Sequence, residues 1–221
     1  MNYRTPHTVT NPALRGAFSQ GLRVGISTDV EYVFLPQLLC KLRSELPGIP
    51  VIIQSADPSK MPSMLENGEI SFAIGPDSLS QRGPNTHWLR SGQPVVLRAD
   101  SSPGALSLKE ICYRPHAAVS FAIDIDLHIN GAIRELGHRR SVVIQIPHFD
   151  GLPRVLAGTD YVAIVPNYVA EQLVKKGGLR SEPVPISEID FGLFMSWQAN
   201  SSDDPASRWL QSRCSMILGN E

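Results

Sequence analysis

Hydrophobic and polar residues follow one another in a regular order along the chain, and the clearest example covers residues 22–47. Residues 22–26 form a short apolar run, which predicts a strand. The next apolar positions have the spacing of a helix that buries one face: Leu35, Leu38, Leu39, Leu42 and Leu46. Pro47 and Gly48 end this helix. The pattern predicts a strand, a loop and a helix in immediate succession.

The loop between the predicted strand and helix, residues 27–31, is polar. Thr28 and Glu31 have the spacing of a capping box. Hydroxyl groups and backbone N–H groups that gather at a helix N-terminus attract an anion. Pro36 would lie inside a helix begun at Thr28, so we expect the regular helix to begin near Phe34, with the proline in its first turn.

The rest of the chain continues this alternation. Further apolar runs predict strands at residues 49–54, 70–74, 116–120, 142–146 and 161–165, and extended segments at residues 87–98, 183–186 and 191–197. Helical spacing predicts helices at about residues 61–67, 124–136, 149–157, 166–177 and 203–218. Strands and helices that alternate at these lengths predict an α/β fold built from βαβ units with a mostly parallel sheet.

Turn-forming residues divide the chain. Residues 1–20 are polar and contain two prolines, which indicates a tail or linker. Residues 99–104 are a run of turn formers, and we place a crossing into a second domain there. The extended segment and helix at the end have no βα partner, so we expect them to return to the first domain. The prediction is a first lobe of residues 21–98 and 191–221 and a second lobe of residues 99–190, joined by two hinge crossings.

Composition and charge narrow the class of protein. With 221 residues, 42% of them hydrophobic and 19% charged, the chain can bury one large core or two smaller ones. A formal net charge of -1 argues against nucleic-acid binding through the chain's own surface, because phosphate contacts need clustered lysines and arginines.

The cysteines, the lengths of the apolar runs and the N-terminal residues indicate the cellular compartment. Cys40, Cys112 and Cys214 are scattered and odd in number, which favours reduced thiols in the cytoplasm over a disulfide framework or a zinc site. No apolar run approaches the ~20 residues of a membrane helix, and the N-terminus shows no signal-peptide pattern. We expect a soluble cytoplasmic protein with no membrane contact.

Candidate binding residues follow from the predicted strand ends. In a two-lobed α/β protein, a ligand lies at the carboxyl ends of the strands, in the cleft where the lobes meet. The residues near such positions are Ser27, Thr28, Asp29, Arg98, His116, Ser120, Phe121, His148, Phe149 and Pro166. Ser120 and Phe121 offer a hydroxyl and an aromatic wall, and Pro166 suits the first turn of the next helix.

Each of these candidates also has a purely structural interpretation. Ser27 and Thr28 are equally suited to capping a helix. Arg98 could pair with a ligand carboxylate, but a solvated charge at the hinge is the stronger interpretation. His148 is the first choice, because imidazole at a helix N-terminus can donate to a carboxylate or a phenol, although local backbone could satisfy it. His116 is weaker, since it could simply start its strand.

Enzymatic motifs are missing from the sequence. No Gly-x-Ser-x-Gly, His-Glu-x-x-His, Cys-x-x-Cys or Gly-x-Gly-x-x-Gly pattern occurs. Ser120, His148 and either Asp124 or Asp150 could be imagined as a triad, yet nothing in the sequence orders them. We therefore expect no catalysis, no cofactor and no metal.

Several short motifs together resemble a known family, the effector-binding domain of LysR-type transcriptional regulators. They occur, in the family's order and spacing, at residues 23–36, 65–75, 135–140, 146–149, 162–166, 197 and 204–210. The resemblance covers roughly residues 21–218. Asp29-Val30-Glu31 and Pro147-His148-Phe149 look most like the branch that senses salicylate and other aromatic acids.

The resemblance implies a fold and a function. The fold would be type II periplasmic-binding-protein-like, with two Rossmann-like lobes. The function would be to bind a small carboxylate effector, expected to be aromatic, between the lobes and thereby control transcription. A solute-binding receptor of a transport system on the same fold is the alternative, disfavoured by the missing signal peptide, and a cytoplasmic enzyme is less favoured still.

The resemblance also implies partners. Effector domains of the family pair antiparallel, so we expect a homodimer in which the helix at residues 32–46 of one subunit lies against the helix at residues 149–157 of the other. The full-length protein would be a tetramer. Family members bind promoter DNA through a winged helix-turn-helix domain that precedes this region and is not among these residues.

Overall fold

The fold was analysed in a computed structural model of the chain, which describes residues 21–76, 85–120, 123–187, 189–198 and 205–219. The predicted tail at residues 1–20, the candidate Phe121 and the predicted helix start at residues 203–204 lie outside these residues. Within the part of the chain that is described, no helix is long and apolar enough to cross a membrane.

Strands and helices alternate through most of the described chain. The strands are β1 Leu22–Ile26, β2 Val51–Ser55, β3 Phe72–Pro76, β4 Thr86–Gly92, β5 Pro94–Arg98, β6 Pro115–Val119, β7 Ser141–Ile146, β8 Ala163–Pro166, β9 Arg180–Pro183 and β10 Phe191–Trp197. The α-helices are α1 Thr28–Glu45, α2 Met61–Glu66, α3 Leu108–Tyr113, α4 Ile123–Glu135, α5 Leu152–Leu156, α6 Asn167–Lys175 and α7 Pro205–Leu218. A 3₁₀ turn, Phe149–Gly151, precedes α5.

The chain divides into two units. The first contains the described residues up to Arg90 and from Leu193 onward, and the second contains Ser91–Gly192. The chain therefore crosses from one unit to the other within β4 and returns within β10. The first crossing lies at 90/91 rather than at the predicted 98/99, because β5 pairs with β8 and β9 and so belongs to the second unit.

A five-stranded sheet in the order β2-β1-β3-β10-β4 organises the first unit. β1 is parallel to β2 and β3, and β10 is antiparallel to β3. Val24, Ile26 and Ile74 are completely buried in this sheet. The sheet includes β10, and α7 also belongs to this unit, so the end of the chain completes the first unit.

The second unit repeats this order of strands. β6 and β7 are parallel, and β5 lies between β8 and β9, antiparallel to both. A parallel bridge between His116 and Val162 joins β6 to β8, and Ala117 N donates to Val162 O at 2.9 Å. Across these two sheets, which this bridge joins, the strands follow one another in the order β7-β6-β8-β5-β9. An apolar cluster that includes Val96, Ile111 and Ile133 packs within this unit.

α1 begins earlier than the sequence predicts. Ser27 is its N-cap, Thr28 is its first residue, and Pro36 lies inside the helix. The expectation of a regular helix from Phe34 is wrong, because burial of Val30 and Phe34 stabilises the first turns and Pro36 gives up only one helical hydrogen bond. The predicted capping box is also wrong, since no side chain caps the N-terminus.

Three other local predictions need correction. α3 is missing from the prediction, although Ser107 and Glu110 form a capping box that marks its start. β9 lies at Arg180–Pro183 rather than at residues 183–186. The prediction missed it because its sequence contains charged residues and no apolar run. Pro166 is the N-cap of α6 and not a residue of its first turn.

Candidate ligand-binding site

The turn from β1 into α1 places three polar residues in the interior of the first unit. Ser27, Thr28 and Asp29 are all buried, with exposed fractions of 1%, 6% and 3%. The backbone fixes the turn, because Ser27 N donates to Ile74 O at 3.0 Å and Glu31 N donates to Ser27 O at 2.9 Å. All three predicted site residues of this turn therefore lie together.

The hydroxyl groups of this turn have no hydrogen-bond partner. Ser27 Oγ and Thr28 Oγ1 are both buried, and neither bonds to any group among the described residues. A buried polar group without a partner costs about 1–3 kcal/mol, so such groups in a folded protein need an explanation. They lie at the N-terminus of an 18-residue helix, whose first N–H groups and dipole favour negative charge. A bound oxygen anion would satisfy both hydroxyls.

Gly75 makes room for the Ser27 side chain. A Cβ atom at Gly75 would lie 3.2 Å from Ser27 Oγ and 3.3 Å from Ser27 Cβ, which is tighter than ordinary van der Waals contact. Gly75 belongs to β3, the strand next to β1. Sequence reasoning missed Gly75, although a glycine near a strand end is a signal for a close approach.

In the second unit, Ser120 and His148 follow neighbouring strands. Ser120 comes after β6, and both its N–H and its Oγ donate to Ile146 O, at 2.9 and 3.3 Å. His148 comes after β7, is exposed, and is the N-cap of the 3₁₀ turn without a capping side-chain bond. The structure therefore brings these two candidates to one edge of the second unit's sheet.

Phe149 and Pro166 complete that edge and are buried. Phe149 starts the 3₁₀ turn and anchors it in the interior of the second unit together with Leu152 and Leu156. Pro166 ends β8, which is bridged to β6, and leads directly into α6. The carboxyl ends of the parallel strands β6, β7 and β8 thus carry Ser120, His148 and Pro166.

Arg98 has a different role from the predicted one. Its side chain is completely buried, and its Nη1 donates to Asp100 Oδ1 at 2.6 Å. Its Nη2 donates to Glu182 Oε2 at 3.0 Å and to Gly104 O at 2.5 Å. The predicted solvated hinge charge is wrong, because protein carboxylates neutralise this arginine in the interior. These partners occupy the groups that would otherwise grip a ligand carboxylate.

Asp100 lies at the centre of this ion-pair network. Arg114 Nη1 donates to its Oδ2 at 2.5 Å, and Arg180 lies 3.5 Å from its Oδ1. Burial alone would raise the pKa of Asp100, but hydrogen bonds from Arg114 and Ser102 outweigh burial and hold that pKa well below its ordinary range. The network keeps the segment between β5 and α3 charged and fixed.

His116 is also an internal residue. Its ring is fully buried, and its Nε2 lies 2.9 Å from Ile111 O, so Nε2 carries the hydrogen and donates. Burial, and to a smaller extent the charge of Arg140, lower the pKa of His116 to about 4, although the bond to Ile111 opposes the shift. His116 is therefore neutral at pH 7 and bonded to the backbone, and its predicted contact with a ligand stays a prediction.

Strand direction separates Arg98 and His116 from the other candidates. Because β5 is antiparallel to β8, Pro94 at the start of β5 lies opposite Pro166. Arg98, at the other end of β5, is about 13 Å along the strand from that edge. His116 pairs with Val162, just before β8, and lies at the same far edge. Sequence reasoning placed every strand end at one edge, which holds only for parallel strands.

The described residues contain no group of three or more histidine, cysteine, aspartate or glutamate side chains that could hold a metal ion. In the first unit, the turn after β1 brings two hydroxyls to a helix N-terminus, and in the second unit an exposed imidazole follows β7. These groups suit a small anionic or hydroxylated molecule.

Comparisons with known proteins give the family context. A family model described as LysR substrate binding domain matches residues 15–215. The chain is 28% identical over 190 residues to the HTH-type transcriptional activator NahR of Pseudomonas putida, which covers 83% of this chain and 63% of NahR. It is 25% identical over 193 residues to nodulation protein D 3 of Rhizobium meliloti (strain 1021), covering 86% of this chain and 61% of that protein. The chain thus spans less than two thirds of the length of these relatives.

Solved structures agree with the family model. The regulatory domain of MexT, a transcriptional activator in Pseudomonas aeruginosa, is 43% identical, with a TM-score of 0.79 that covers 89% of this chain and 99% of that domain. A putative transcriptional regulator from Vibrio parahaemolyticus is 19% identical and supports the fold alone, with a TM-score of 0.78 over 90% of this chain and 93% of that one. The predicted α/β, type II periplasmic-binding-protein-like fold is confirmed.

Proposed function

We propose that this chain, which belongs to the family of LysR substrate binding domains, binds a small aromatic carboxylate and so controls transcription by a longer regulator. The predicted absence of catalysis agrees with its relatives, because NahR and MexT are transcriptional activators and not enzymes. In the proposal, promoter DNA is bound by a winged helix-turn-helix domain of the longer protein. A regulator of this kind acts in the cytoplasm, where bacterial DNA lies.

One observation carries the proposal. Ser27 Oγ and Thr28 Oγ1 are buried without partners at the start of the longest helix among the described residues. A carboxylate accepts hydrogen bonds on two oxygens, so one carboxylate could accept from both hydroxyls. The helix N-terminus adds favourable electrostatics, although Asp29 and Glu31 in the first turn offset part of that field.

The second unit supplies the remaining proposed contacts. His148 is exposed and has no capping bond, so its ring is available to donate to a carboxylate or a phenol. Ser120 adds a hydroxyl and Pro166 an apolar surface at the same sheet edge. Phe121, outside the described residues, stays a proposed aromatic contact, whereas Arg98 and His116 are left out. His148, Ser120, Pro166 and Phe121 are the effector contacts that we propose for the second unit.

Such an effector signals only if it favours one arrangement of the protein over another. Its affinity for the two arrangements must differ by about 1–3 kcal/mol for a measurable coupling between effector and DNA.

Titration of the chain with benzoate and salicylate tests the proposed site. Binding at about 100 times Kd stabilises the folded state by about 2.7 kcal/mol, which for a chain of this size raises Tm by about 5–10 °C. Thr28→Val removes a hydroxyl and keeps the shape, and His148→Ala removes the imidazole. Each loses a hydrogen bond worth about 1–3 kcal/mol and should weaken binding by about 5-fold to 150-fold in calorimetry.

A matched control is Thr86→Val. Thr86 Oγ1 bonds to Ser196 Oγ at 3.1 Å, away from the β1–α1 turn, so this variant should bind with unchanged affinity. If Thr28→Val and His148→Ala bind both acids as well as the unaltered chain does, the site assignment is wrong. If neither acid binds but another ligand separates Thr28→Val from Thr86→Val, only the effector class is wrong.

We also propose that the chain forms the antiparallel homodimer expected of the family, with residues 32–46 of one subunit against residues 149–157 of the other. Leu39 supports an interface on α1, because it is an apolar side chain at an exposed position, and Ile52 on the edge strand β2 and Val143 on the edge strand β7 are further exposed apolar side chains. An exposed apolar edge strand favours association with another chain. Leu39→Glu should shift sedimentation at tens of micromolar from dimer to monomer, and a chain already monomeric at that concentration contradicts the proposal.

A further inference from the structure

The two strands that connect the units, β4 and β10, are neighbours in one sheet. The last residues of β4, Ser91 and Gly92, and the first residues of β10, Phe191 and Gly192, belong to the second unit. The contacts that these four residues make within the second unit therefore determine how firmly the ends of the two connecting strands are held there.

Phe191 packs directly on the backbone of Gly92. A Cβ atom at Gly92 would lie 2.5 Å from the Phe191 ring, closer than real Cβ contacts, so any other residue at position 92 would displace this ring. The same Phe191 ring also contacts α6, because the Tyr168 ring of that helix meets it edge-on with centroids 6.3 Å apart. Tyr168 is itself buried. The first residues of α6 thus support the second connecting strand through one aromatic pair.

Asn167, the first residue of α6, holds the first connecting strand. Gln93 N donates to Asn167 Oδ1 at 3.2 Å, and Asn167 N donates to Gln93 O at 2.8 Å. The neighbouring pair of the ladder is Pro94 opposite Pro166, and neither residue has an N–H to donate. Asn167 therefore makes the bonds that close this end of the β5–β8 ladder, and it uses a helix N–H that has no partner within α6.

Gln93 also links the two connecting segments to each other. Its Nε2 lies 3.4 Å from Asp190 Oδ2, one residue before Phe191. Both groups are exposed, so this bond is weak. Together with the Phe191–Gly92 contact, it gives two direct connections between residues 92–93 and residues 190–191.

We propose that the start of α6 is a clamp that joins both connecting strands into one rigid body inside the second unit. Asn167 holds residue 93, Tyr168 holds Phe191, and Phe191 lies against Gly92. Any reorientation of the two units then bends the chain at residues 90–91 and 192–193, outside the clamp. The clamp goes beyond the proposed function and does not depend on it.

One consequence of the clamp does rest on the proposed function. Pro166 is the N-cap of α6 and also a proposed effector contact. An effector that contacts Pro166 would act on the residue adjacent to the clamp, and so on both connecting strands together.

Hydrogen exchange of the unliganded chain tests the clamp. Asn167→Ala removes the acceptor for Gln93 N, whereas Asn167→Asp keeps an acceptor oxygen at the same position and serves as the conservative variant. Loss of one hydrogen bond should speed exchange at residues 91–93 by about 3-fold to 10-fold in Asn167→Ala and leave it nearly unchanged in Asn167→Asp. The discriminating result is the same increase at residues 190–193, which Asn167 does not contact directly.

Two further variants complete the experiment. Phe191→Leu should speed exchange at residues 91–93, since the smaller side chain leaves Gly92 unsupported. Gln172→Ala alters α6 away from its start and should leave both connecting segments unchanged. Faster exchange confined to α6 in Asn167→Ala, with residues 190–193 as slow as before, overturns the clamp. Binding of benzoate or salicylate is not needed for any of these measurements, so the clamp and the proposed function can fail separately.

Discussion

The two units use the same order of strands but place their buried polar groups differently. In the first unit, the turn after β1 buries the Ser27 and Thr28 hydroxyls without partners. In the second unit, the hydroxyl of Ser120 after β6 donates to a backbone carbonyl. The second unit also contains a fully buried arginine, Arg98, that is neutralised by carboxylates on two other segments.

This difference separates two uses of buried polarity. Ion pairs from Arg98 Nη1 to Asp100 and from Nη2 to Glu182 hold β5, β9 and the segment before α3 together. The Ser27 and Thr28 hydroxyls satisfy nothing within the described chain and so remain available to a ligand. Among the buried polar groups, we therefore expect those of the second unit to act mainly on stability and the hydroxyls of the first unit to act mainly on ligand affinity.

The largest expected effect follows from removing Arg98. Arg98→Met fills a similar volume but leaves Asp100 and Glu182 without their main partner, and it should lower the free energy of unfolding by about 3–5 kcal/mol. Urea unfolding measures the change. Arg213→Met is the control, because Arg213 pairs with the partly exposed Glu45 at the surface of the first unit and should cost at most about 1 kcal/mol. Equal losses in the two variants would contradict the special role of the buried network.

Acidification should cause a smaller loss in the free energy of unfolding, and a residue of the second unit, His116, should also be responsible for it. The pKa of His116 falls from its ordinary 6.5 to about 4 in the folded chain, so the unfolded chain takes up this proton first as the pH falls. The contribution of His116 is complete above about pH 6.5 and is lost as the pH falls toward 4, costing about 2 kcal/mol at pH 4.5.

Unfolding of the chain and of His116→Gln over this pH range measures that contribution. The variant should lose less stability than the unaltered chain between about pH 6.5 and pH 4.5. Asp100 does not interfere, because its pKa is lowered from 3.8 and its contribution persists until the pH falls below that value. Identical pH profiles for the two proteins would show that His116 does not titrate as its burial requires.

The smallest effect is expected at the unpartnered hydroxyls. Ser27→Ala removes a buried polar group that has no partner, so the unliganded free energy of unfolding should stay the same or rise by up to about 1 kcal/mol. Chemical unfolding without ligand measures it. A loss of more than about 1 kcal/mol would mean that the hydroxyl stabilises the fold, and the contrast between the units would disappear.

Local patterns predicted much of this fold because local residues determine it. The run at residues 22–26 is β1, and the turn after it was chosen as a site because hydroxyls precede a helical pattern. The predicted start of α1 was wrong, because burial of Val30 and Phe34 by the rest of the first unit determines where this helix begins. The sequence shows a proline at position 36, but not the packing that outweighs it.

The remaining errors come from partners that are distant in sequence. Arg98 was interpreted as solvated because Glu182, 84 residues away, cannot be identified as its partner from the sequence. The direction of β5 is also non-local, since it depends on pairing with β8 and β9. Asp100, only two residues from Arg98, was a local signal that could have suggested an ion pair.

The composition of the first unit from two distant segments has a consequence for folding during synthesis. Ser91–Gly192 is continuous, so the ribosome can release the whole second unit while the first still lacks β10 and α7. Until Phe191–Trp197 emerges, β3 has no partner on one side, and the Glu45 carboxylate lacks the bonds that Trp209 and Arg213 donate at 3.0 and 2.6 Å. Synthesis of the first unit therefore begins before that of the second unit and ends after it.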